Sequence, residues 1–429
     1  MTLIIVIIIM GVSFELSLLR TLVGFFFFTI MVETGKGTQR VSTGRCGSGE
    51  GELRVRIKSD GREGPAKAGG PLKGGRAGLS ARMKPLDAKS MAETADRLNR
   101  LTKPPGSLGR LEEIAIRWAG IRQGSLPASV RAAMLLMAGD HGVAKEGVSP
   151  YPQEVTAQMV RNMVAGGAAA SAFCQALGIE LHCVDVGVCA DLSSLDGLRH
   201  RKVRAGTANL LYEPAMREEE TWAALDTGLD EVARLAASGV DLLVLGEMGI
   251  GNTTPSACLL AALTGRTSDE VVGRGTGLDD EGWQRKRMVV EAALQRCRGL
   301  AGEEADPLWW MSQVGGLEIA ALAGACIGGA IYRIPVVVDG FIVTVAALWA
   351  QRFCPELAPF LFSSHLSEEQ GHPLALDAFG QPAYLTVGMR LGEGTGAALM
   401  VPLFRTAACV LNRMATFGEA EVSERSDGQ

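Results

Sequence analysis

Residues 240–254 read VDLLVLGEMGIGNTT and contain the unit from which the fold can be predicted. The apolar run 240–245 predicts a β-strand, and the glycines that follow it predict a sharp turn. Residues 255–264 then predict a helix. A strand, a glycine-rich turn and a helix in this order are typical of a β-α unit, and the turn leaves backbone N–H groups free at the start of the helix.

The turn of this unit is close to the phosphate-binding P-loop pattern GxxxxGK[ST], with one change. Gly246 and Gly251 match the glycines of the pattern, but Asn252 replaces its lysine. That lysine neutralises the outer phosphates of a triphosphate, whereas the helix N-terminus that remains suits a single phosphate. We therefore predict a monophosphate site. Glu247 would repel the phosphate, so we expect it to face a sugar or the reacting group.

The same alternation extends in both directions from this unit. Short apolar runs predict strands at 132–138, 179–186, 336–338 and 361–363, with helices between them, including a long one at about 152–177. This pattern predicts an α/β fold, a doubly wound and mainly parallel sheet with helices on both faces. Polar side chains recur at the strand ends: Asp140, His141, Asp185, Glu247, Asp339, Ser364 and His365. We expect a ligand site at that edge of the sheet.

A second glycine-rich stretch, LGEGTGA at 391–397, holds one carboxylate, Glu393, among three glycines. The apolar segment 397–414 follows it and predicts a helix. Two interpretations stay open from the residues alone. Glu393 either favours the start of that helix through the helix dipole, or faces a pocket from a turn that neighbouring side chains do not crowd.

A third glycine-rich turn, GRGTG at 273–277, predicts a second nest of backbone N–H groups for an anion. The helix predicted at 280–298 carries Lys286, which is either within reach of a phosphate or ribose or an ordinary surface lysine.

Composition excludes several classes of protein. The chain is 47% hydrophobic and 21% charged, which is typical of a globular protein. Its net charge of -5 divides into +7 for residues 33–84 and -12 for residues 85–429, and such an acidic body is unsuited to nucleic acid. Nine cysteines without a CxxC pair and five histidines without metal-binding spacing predict no disulfide framework, no metal site and a cytoplasmic location.

The first 85 residues are predicted to lie outside the fold. Residues 3–12 and 21–32 are apolar runs, each too short to span a bilayer alone. Residues 33–84 contain 13 glycines in 52 positions and are predicted to be disordered. Two explanations stay open: a membrane anchor with a basic linker, or a start codon placed too early, with Met83 or Met91 as the true start. We favour the second, because well-patterned sequence begins abruptly at about Pro85.

Several stretches together resemble the nicotinate-nucleotide–dimethylbenzimidazole phosphoribosyltransferase family. They read KPPGSLGRLE at 103–112, AGDHGV at 138–143, GEMGIGNTT at 246–254, GRGTG at 273–277, VDGFIVT at 338–344, SH at 364–365 with GH at 371–372, and MRLGEGTGAA at 389–398. The resemblance covers about residues 86–417. It implies transfer of the 5-phosphoribosyl group from nicotinate mononucleotide to 5,6-dimethylbenzimidazole, giving α-ribazole 5′-phosphate for the lower ligand of cobalamin, without a cofactor.

The resemblance also implies a role for each candidate residue. Glu393 is implied as the general base that takes the benzimidazole N–H proton, with Glu247 and Lys286 supporting the ribose and phosphate. The implied nucleotide contacts are Gly249, Gly251, Asn252, Thr253 and Gly275, those near the ribose and leaving base are Asp339, Gly340 and Ser367, and those of the benzimidazole pocket are Gln158, Met159 and Leu391. A second carboxylate nearby, for which Glu247 is the candidate, is expected to raise the pKa of Glu393.

Family members further imply a homodimer whose protomer has two parts. The large α/β part would comprise about residues 125–375, and the small helical part about 86–124 and 376–417, with 418–429 as a flexible tail. The segment SPYPQE at 149–154 departs from some members, which leaves the preferred base open. Two other functions stay open: a different phosphoribosyltransferase or nucleoside-processing enzyme with the same phosphate site, and a nucleotide- or ribazole-binding protein tethered to a membrane through residues 3–32.

Overall fold

A computed structural model describes residues 6–7, 29–34, 37–42, 75–300 and 306–423. The chain divides into two units, Met1–Gly64 and Pro65–Gln429. The strands are β1 Val6–Ile7, β2 Thr29–Thr34, β3 Gly37–Ser42, β4 Ala132–Gly139, β5 Ile179–Gly187, β6 Arg199–His200, β7 Leu242–Met248, β8 Val336–Val338 and β9 Leu361–Ser363. The helices are α1 Gly75–Ser80, α2 Ala88–Arg100, α3 Arg110–Arg122, α4 Glu154–Val164, α5 Ala169–Leu177, α6 Glu218–Ala237, α7 Thr253–Thr264, α8 Ser268–Val271, α9 Asp280–Arg298, α10 Pro307–Val314, α11 Leu317–Tyr332, α12 Phe341–Phe353, α13 His372–Phe379, α14 Thr395–Ala398 and α15 Val401–Arg413.

The structure describes regular elements at both ends of residues 33–84, the segment that we predict to be disordered. In the first unit, β2 pairs antiparallel with β3. In the second unit, helix α1 places the side chain of Leu79 in the core, where it is 1% exposed. An apolar side chain that can be buried in this way stabilises its helix despite the glycine-rich sequence around it.

The second unit is organised around a six-stranded sheet in the order β6-β5-β4-β7-β8-β9. All of its strand pairs are parallel. Strands β4 and β7 are buried on both faces, because helices flank the sheet and the strand residues are almost all apolar. The predicted α/β class with a doubly wound parallel sheet is confirmed.

The strand order reverses between β4 and β7. From β4 the chain continues to β5 on one side, while β7, β8 and β9 follow on the other. The register pairs Ala138 with Met248, so the two strands end side by side. The connections that leave these two ends diverge, which opens a crevice at the carboxyl edge of the sheet.

Three helices from the two ends of this unit pack together. Helix α15 lies against α3 and α2, and the Trp118 and Phe404 rings meet edge to face at 5.3 Å. Phe404 also contacts Phe362 of β9 at 4.9 Å, which joins these helices to the sheet. Among the described residues, the run Thr395–Arg413 is long and apolar enough to cross a membrane, but 56% of it is buried inside the fold, as in core helices of globular proteins.

Two of the predicted helices are each divided in the structure. The helix predicted at 152–177 is interrupted between α4 and α5, where Gly166 adopts a positive φ of 87° that a helix cannot contain. The segment 397–414 is divided between α14 and α15, and Pro402 lies in the first turn of α15. Proline lacks an N–H and is favoured at such a helix start.

The tightest helix contact is between α6 and α11, and it depends on glycine. A Cβ added at Gly228 would lie 1.8 Å from the carbonyl oxygen of Ala321, and one at Gly324 would lie 2.0 Å from that of Leu225. Both obstacles are backbone atoms, so only movement of a helix could relieve the overlap. We expect Gly228→Ala to lower the free energy of unfolding by about 1–3 kcal/mol, the usual cost of overpacking. Urea denaturation monitored by circular dichroism measures this.

Gly124→Ala is the matched control, because a Cβ at Gly124 would meet no atom within 4 Å. Equal unfolding midpoints for the two variants would contradict the proposed role of glycine between α6 and α11.

Candidate active site

The turn that follows β7 lies at the carboxyl edge of the sheet, where the strand order reverses. Within this turn Gly251 has a φ of 90°, and a Cβ at Gly249 would lie 2.5 Å from the carbonyl oxygen of Gly139. Glycine is needed at both positions. Gly251 has a left-handed backbone, and Gly249 lies too close to the backbone of Gly139 for a side chain. Asn252 precedes the first residue of α7, but its N–H donates to the Gly249 carbonyl oxygen at 3.1 Å and the Ile250 N–H donates to Thr156 Oγ1 at 3.0 Å. The turn therefore offers an anion fewer N–H groups than the sequence predicts.

Glu247, the penultimate residue of β7, is buried beside this turn. Its Oε2 accepts a hydrogen bond from Asn252 Nδ2 at 2.5 Å, so the amide at the P-loop lysine position binds a carboxyl group of the protein. Burial raises the pKa of Glu247 to about 8, the negative charge of Asp339 adds to the increase, and the Asn252 hydrogen bond opposes it. At neutral pH Glu247 is therefore mostly protonated, which removes most of the repulsion towards an anion that we expected.

Glu393 lies on the second glycine-rich turn, next to Glu247. It has a positive φ of 60°, flanked by Gly392 and Gly394 at 83° and 78°. A non-glycine residue in this region is strained and is common at functional sites. The Glu393 N–H donates to Glu247 Oε1 at 3.4 Å, and the Ala170 N–H donates to Glu393 Oε2 at 3.4 Å.

The Glu393 side chain is only 7% exposed. Burial raises its pKa above the usual value, the Ala170 hydrogen bond opposes this, and the negative charge of Asp339 adds to it. We expected Glu247 to be the carboxylate that acts on Glu393, but Asp339 is. Since Glu247 is itself mostly protonated at neutral pH, it carries little charge to contribute.

Asp339 follows β8 directly and is 1% exposed. Its Oδ2 accepts the Gly394 N–H and its Oδ1 accepts the Ala397 N–H, both at 2.9 Å. The predicted contact of Asp339 with the ribose remains a prediction, because both of its oxygens bind the backbone of the Glu393 turn. Gly340 lies beside Ser367 and His365, where a Cβ would approach their side chains to 3.6 and 3.5 Å.

Lys286 is not a surface lysine, since it is 0% exposed. Its Nζ donates to Thr253 Oγ1 at 2.8 Å and to the carbonyl oxygen of Gly273 at 3.3 Å. Gly275 is close to both side chains, because a Cβ there would lie 3.1 Å from Thr253 Oγ1 and 3.3 Å from Lys286 Nζ. Burial lowers the pKa of Lys286 to about 8. The turn after β7 and the turn 273–277 therefore meet at one buried cation.

Sequence reasoning missed Glu369, whose carboxylate lies at this meeting point. Its oxygens accept the Gly275 N–H at 3.1 and 3.3 Å, and its negative charge opposes the lowering of the Lys286 pKa. The acidic pair Glu368-Glu369 directly after Ser367 was the available signal, but adjacent acids are common on surfaces.

Sequence reasoning also missed the partner of His141. The Nε2 of His141 lies 2.7 Å from Oε1 of Glu318, and both side chains are 0% exposed. Burial alone would lower the pKa of His141, but the Glu318 carboxylate outweighs it and the pKa is raised. The sequence signal for this pair was Glu318 itself, a glutamate in the otherwise apolar first turns of α11. A Cβ at Gly249 would lie 3.2 Å from His141 Nε2, so this pair lies directly under the turn after β7.

The residues predicted to bind the benzimidazole lie further out. Gln158 is exposed and Met159 half-buried on α4, and Leu391 is 57% exposed just before the Glu393 turn. In the part of the chain that the structure describes, three or more His, Cys, Asp or Glu residues do not come together as metal ligands would.

Comparisons with known proteins agree with one another. The family model described as phosphoribosyltransferase matches residues 83–422. The nicotinate-nucleotide–dimethylbenzimidazole phosphoribosyltransferase of Chromobacterium violaceum is 49% identical over 343 residues, which are 80% of this chain and 98% of the relative. The enzyme of that name from Thermus thermophilus is 48% identical over 338 residues, 79% of this chain and 99% of its own.

Two solved structures are similar in fold to this chain over most of its length. A crystal structure of the Thermus thermophilus enzyme of that name superposes with a TM-score of 0.74 at 46% identity, covering 79% of this chain and all of the other. A structure titled CobT from the same organism gives a TM-score of 0.75 at 47% identity, with the same coverage.

Proposed function

Because this chain belongs to the nicotinate-nucleotide–dimethylbenzimidazole phosphoribosyltransferase family, we propose that it moves the 5-phosphoribosyl group of nicotinate mononucleotide to 5,6-dimethylbenzimidazole. The products are α-ribazole 5′-phosphate and nicotinate. The chain is thus a pentosyltransferase of cobalamin biosynthesis. The observation that carries the proposal is the buried Glu393, which lies beside the crevice with a raised pKa.

The reaction needs a base more than it needs an acid. A benzimidazole nitrogen attacks C1′ of the ribose as the C1′–N bond to nicotinate breaks, through an oxocarbenium-like transition state. The pyridinium nitrogen takes the bonding electrons and becomes neutral, so nicotinate departs without needing a proton. The attacking ring must lose its N–H proton, and we assign Glu393 as the acceptor. A base with a pKa raised towards the working pH suits this role.

We propose that the nucleotide binds where the two glycine-rich turns meet. The phosphate would contact the N–H groups of Gly251 and Thr253 at the start of α7 and the buried Lys286. Asn252 and Gly275 would border it, since their own N–H groups donate to the Gly249 carbonyl oxygen and to the Glu369 carboxylate. Support comes from the Lys286–Thr253 hydrogen bond, which joins the cation to the helix start. Cations and helix N-termini both stabilise a phosphate.

Around the reacting atoms we propose the following contacts, each of which follows from the family. Glu247, mostly protonated, would donate to a ribose hydroxyl. Gly249, Gly340 and Ser367 would border the ribose and the nicotinate, and Gln158, Met159 and Leu391 the benzimidazole. The closeness of Gly340 to Ser367 supports this arrangement.

We also propose that residues 86–417 form the catalytic part of a cytoplasmic homodimer, with 418–429 as a tail. Its small helical part would comprise α2, α3 and α15, whose mutual packing supports it.

The test is release of nicotinate by the full-length chain. Purified protein incubated with nicotinate mononucleotide and 5,6-dimethylbenzimidazole is expected to form nicotinate and α-ribazole 5′-phosphate in equal amounts, measured by chromatography. Omitting the benzimidazole is the control for hydrolysis. Folded protein that releases no nicotinate would refute the proposal, whereas binding without turnover would favour a ribazole- or nucleotide-binding protein.

A further inference from the structure

A single buried carboxylate, that of Asp339, holds the turn on which Glu393 lies. Its two oxygens accept the N–H groups of Gly394 and Ala397, both at 2.9 Å. The first of these residues follows Glu393 directly, and the second is in the first turn of α14. The carboxylate therefore fixes the backbone immediately after Glu393 at two points. Hydrogen bonds to a charged acceptor are among the stronger ones in proteins.

The Glu393 turn needs such support because its backbone is strained. A left-handed conformation at a non-glycine residue costs roughly 1–3 kcal/mol and persists only where the surroundings enforce it. A Cβ at Gly246 would lie 2.8 Å from the Glu393 carbonyl oxygen, so the turn is packed directly on β7. On its other side, Thr395 Oγ1 donates to the carbonyl oxygen of Gly392 at 2.7 Å. Among the contacts that hold the Glu393 turn, those from Asp339 are made by a charged group.

Asp339 is itself held by a chain of hydrogen bonds whose directions can be assigned. His372 Nδ1 accepts the Ser367 N–H at 2.8 Å, so its proton is on Nε2. That nitrogen donates to Thr344 Oγ1 at 3.1 Å, and Thr344 donates to the Asp339 carbonyl oxygen at 3.0 Å. Burial lowers the pKa of His372 to about 3, so the imidazole stays neutral. The chain connects Asp339 to Ser367, which we expect near the ribose.

The charge of Asp339 also reaches Glu393: burial is the main cause of the raised pKa values of Glu393 and Glu247, and the negative charge of Asp339 adds to both increases. The other groups around Glu393 do not duplicate this effect. They are the Ala170 N–H of α5, the un-ionised Cys183 thiol of β5, the mostly protonated Glu247 of β7, and His365 after β9, whose Nδ1 lies 3.8 Å from Asp339 Oδ1. Asp339 is therefore the neighbouring anion that acts on the proposed base.

We propose that Asp339 is a positioning residue for the reaction: it holds the Glu393 carboxylate in place through the Gly394 and Ala397 N–H groups. This inference rests on the proposed function, because it concerns the base of that reaction. It assigns to Asp339 a role that does not require contact with either substrate.

The test compares Asp339→Asn, Glu393→Gln and the double variant in the full-length chain. Asparagine is nearly isosteric, but its NH2 group would face a backbone N–H, which weakens the hold on the turn. We expect kcat to fall by about tenfold, a fraction of what a misplacement of about 1 Å can cost. The dissociation constant of nicotinate mononucleotide, measured by calorimetry, should change by less than about threefold, equivalent to less than about 0.7 kcal/mol.

Two further readouts separate positioning from a general structural role. Glu393 acts as a base when it is deprotonated, so turnover falls as pH drops through its pKa. Loss of the Asp339 charge removes one of the influences that raise that pKa, so the acidic limb of the kcat profile should move to lower pH. In the double variant, Asp339→Asn should slow Glu393→Gln no further, because it acts through Glu393.

The inference is overturned if Asp339→Asn binds nicotinate mononucleotide more weakly while the acidic limb of its kcat profile stays where it is. That result would make Asp339 a ribose ligand. Full additivity in the double variant would overturn it as well. If Asp339→Asn does not fold, Thr344→Val tests the same chain of contacts: lower kcat at unchanged nucleotide affinity supports the inference, and an unchanged kcat overturns it. Nicotinate release by the unsubstituted chain distinguishes these outcomes from failure of the proposed function.

Discussion

Turnover of the Glu393→Gln variant is expected to fall by about 10²–10⁴-fold, the usual contribution of a general base. Glutamine keeps the shape of the side chain, and its Oε1 can still accept the Ala170 N–H that Glu393 accepts at 3.4 Å. What it lacks is the ability to take a proton. Because the proposed phosphate contacts are at the other glycine-rich turns, binding of nicotinate mononucleotide should be nearly unchanged.

The measurements are steady-state release of nicotinate and calorimetric binding of the mononucleotide. Glu93→Gln is the matched control, because the Glu93 side chain is 67% exposed on α2 and the same chemical change there should leave turnover intact. The residual activity of Glu393→Gln should lose the acidic limb of the pH profile, since the group that titrates has been removed. An unchanged rate would exclude Glu393 as the base.

The sequence predicted the site's place in the fold because the relevant signals are local. An apolar run followed by glycines and a helix identifies a β-α unit, and the polar residues at strand ends identify the edge that binds ligands. In this way Glu247, Asp339 and His141 were all expected at one edge of the sheet, and the structure places them there.

The contacts that tune the site could not be predicted, because they join residues far apart in the chain. Glu369 binds the backbone of Gly275, 94 residues away, and Asp339 binds that of Gly394, 55 residues away. Neither contact has a periodicity or a motif, since a carboxylate can accept from any backbone N–H that the fold brings to it. The buried state of Lys286 was missed for the same reason: one lysine in a helix rich in charged residues has no sequence signal for burial.

Lys286→Met is expected to lower kcat/KM for nicotinate mononucleotide by roughly 10–150-fold, the equivalent of a hydrogen bond to a charged group worth about 1.5–3 kcal/mol. The loss should appear mainly in KM, because a phosphate is bound equally in the ground state and the transition state. Lys89→Met is the control, since that side chain is 81% exposed. A fall in kcat at constant KM would instead place Lys286 at the reacting ring.

The pH dependence gives Lys286→Met a second, independent prediction. Burial lowers the pKa of Lys286 to about 8, so in the free protein its positive charge is present below that pH and lost above it. Affinity for the mononucleotide should therefore weaken as pH rises through 8, and the variant should lack this weakening. Methionine has similar length without the charge, so it can fill the space of the buried lysine stem. An unchanged melting temperature, together with weaker nucleotide binding, would assign the lysine to the ligand and not to the fold.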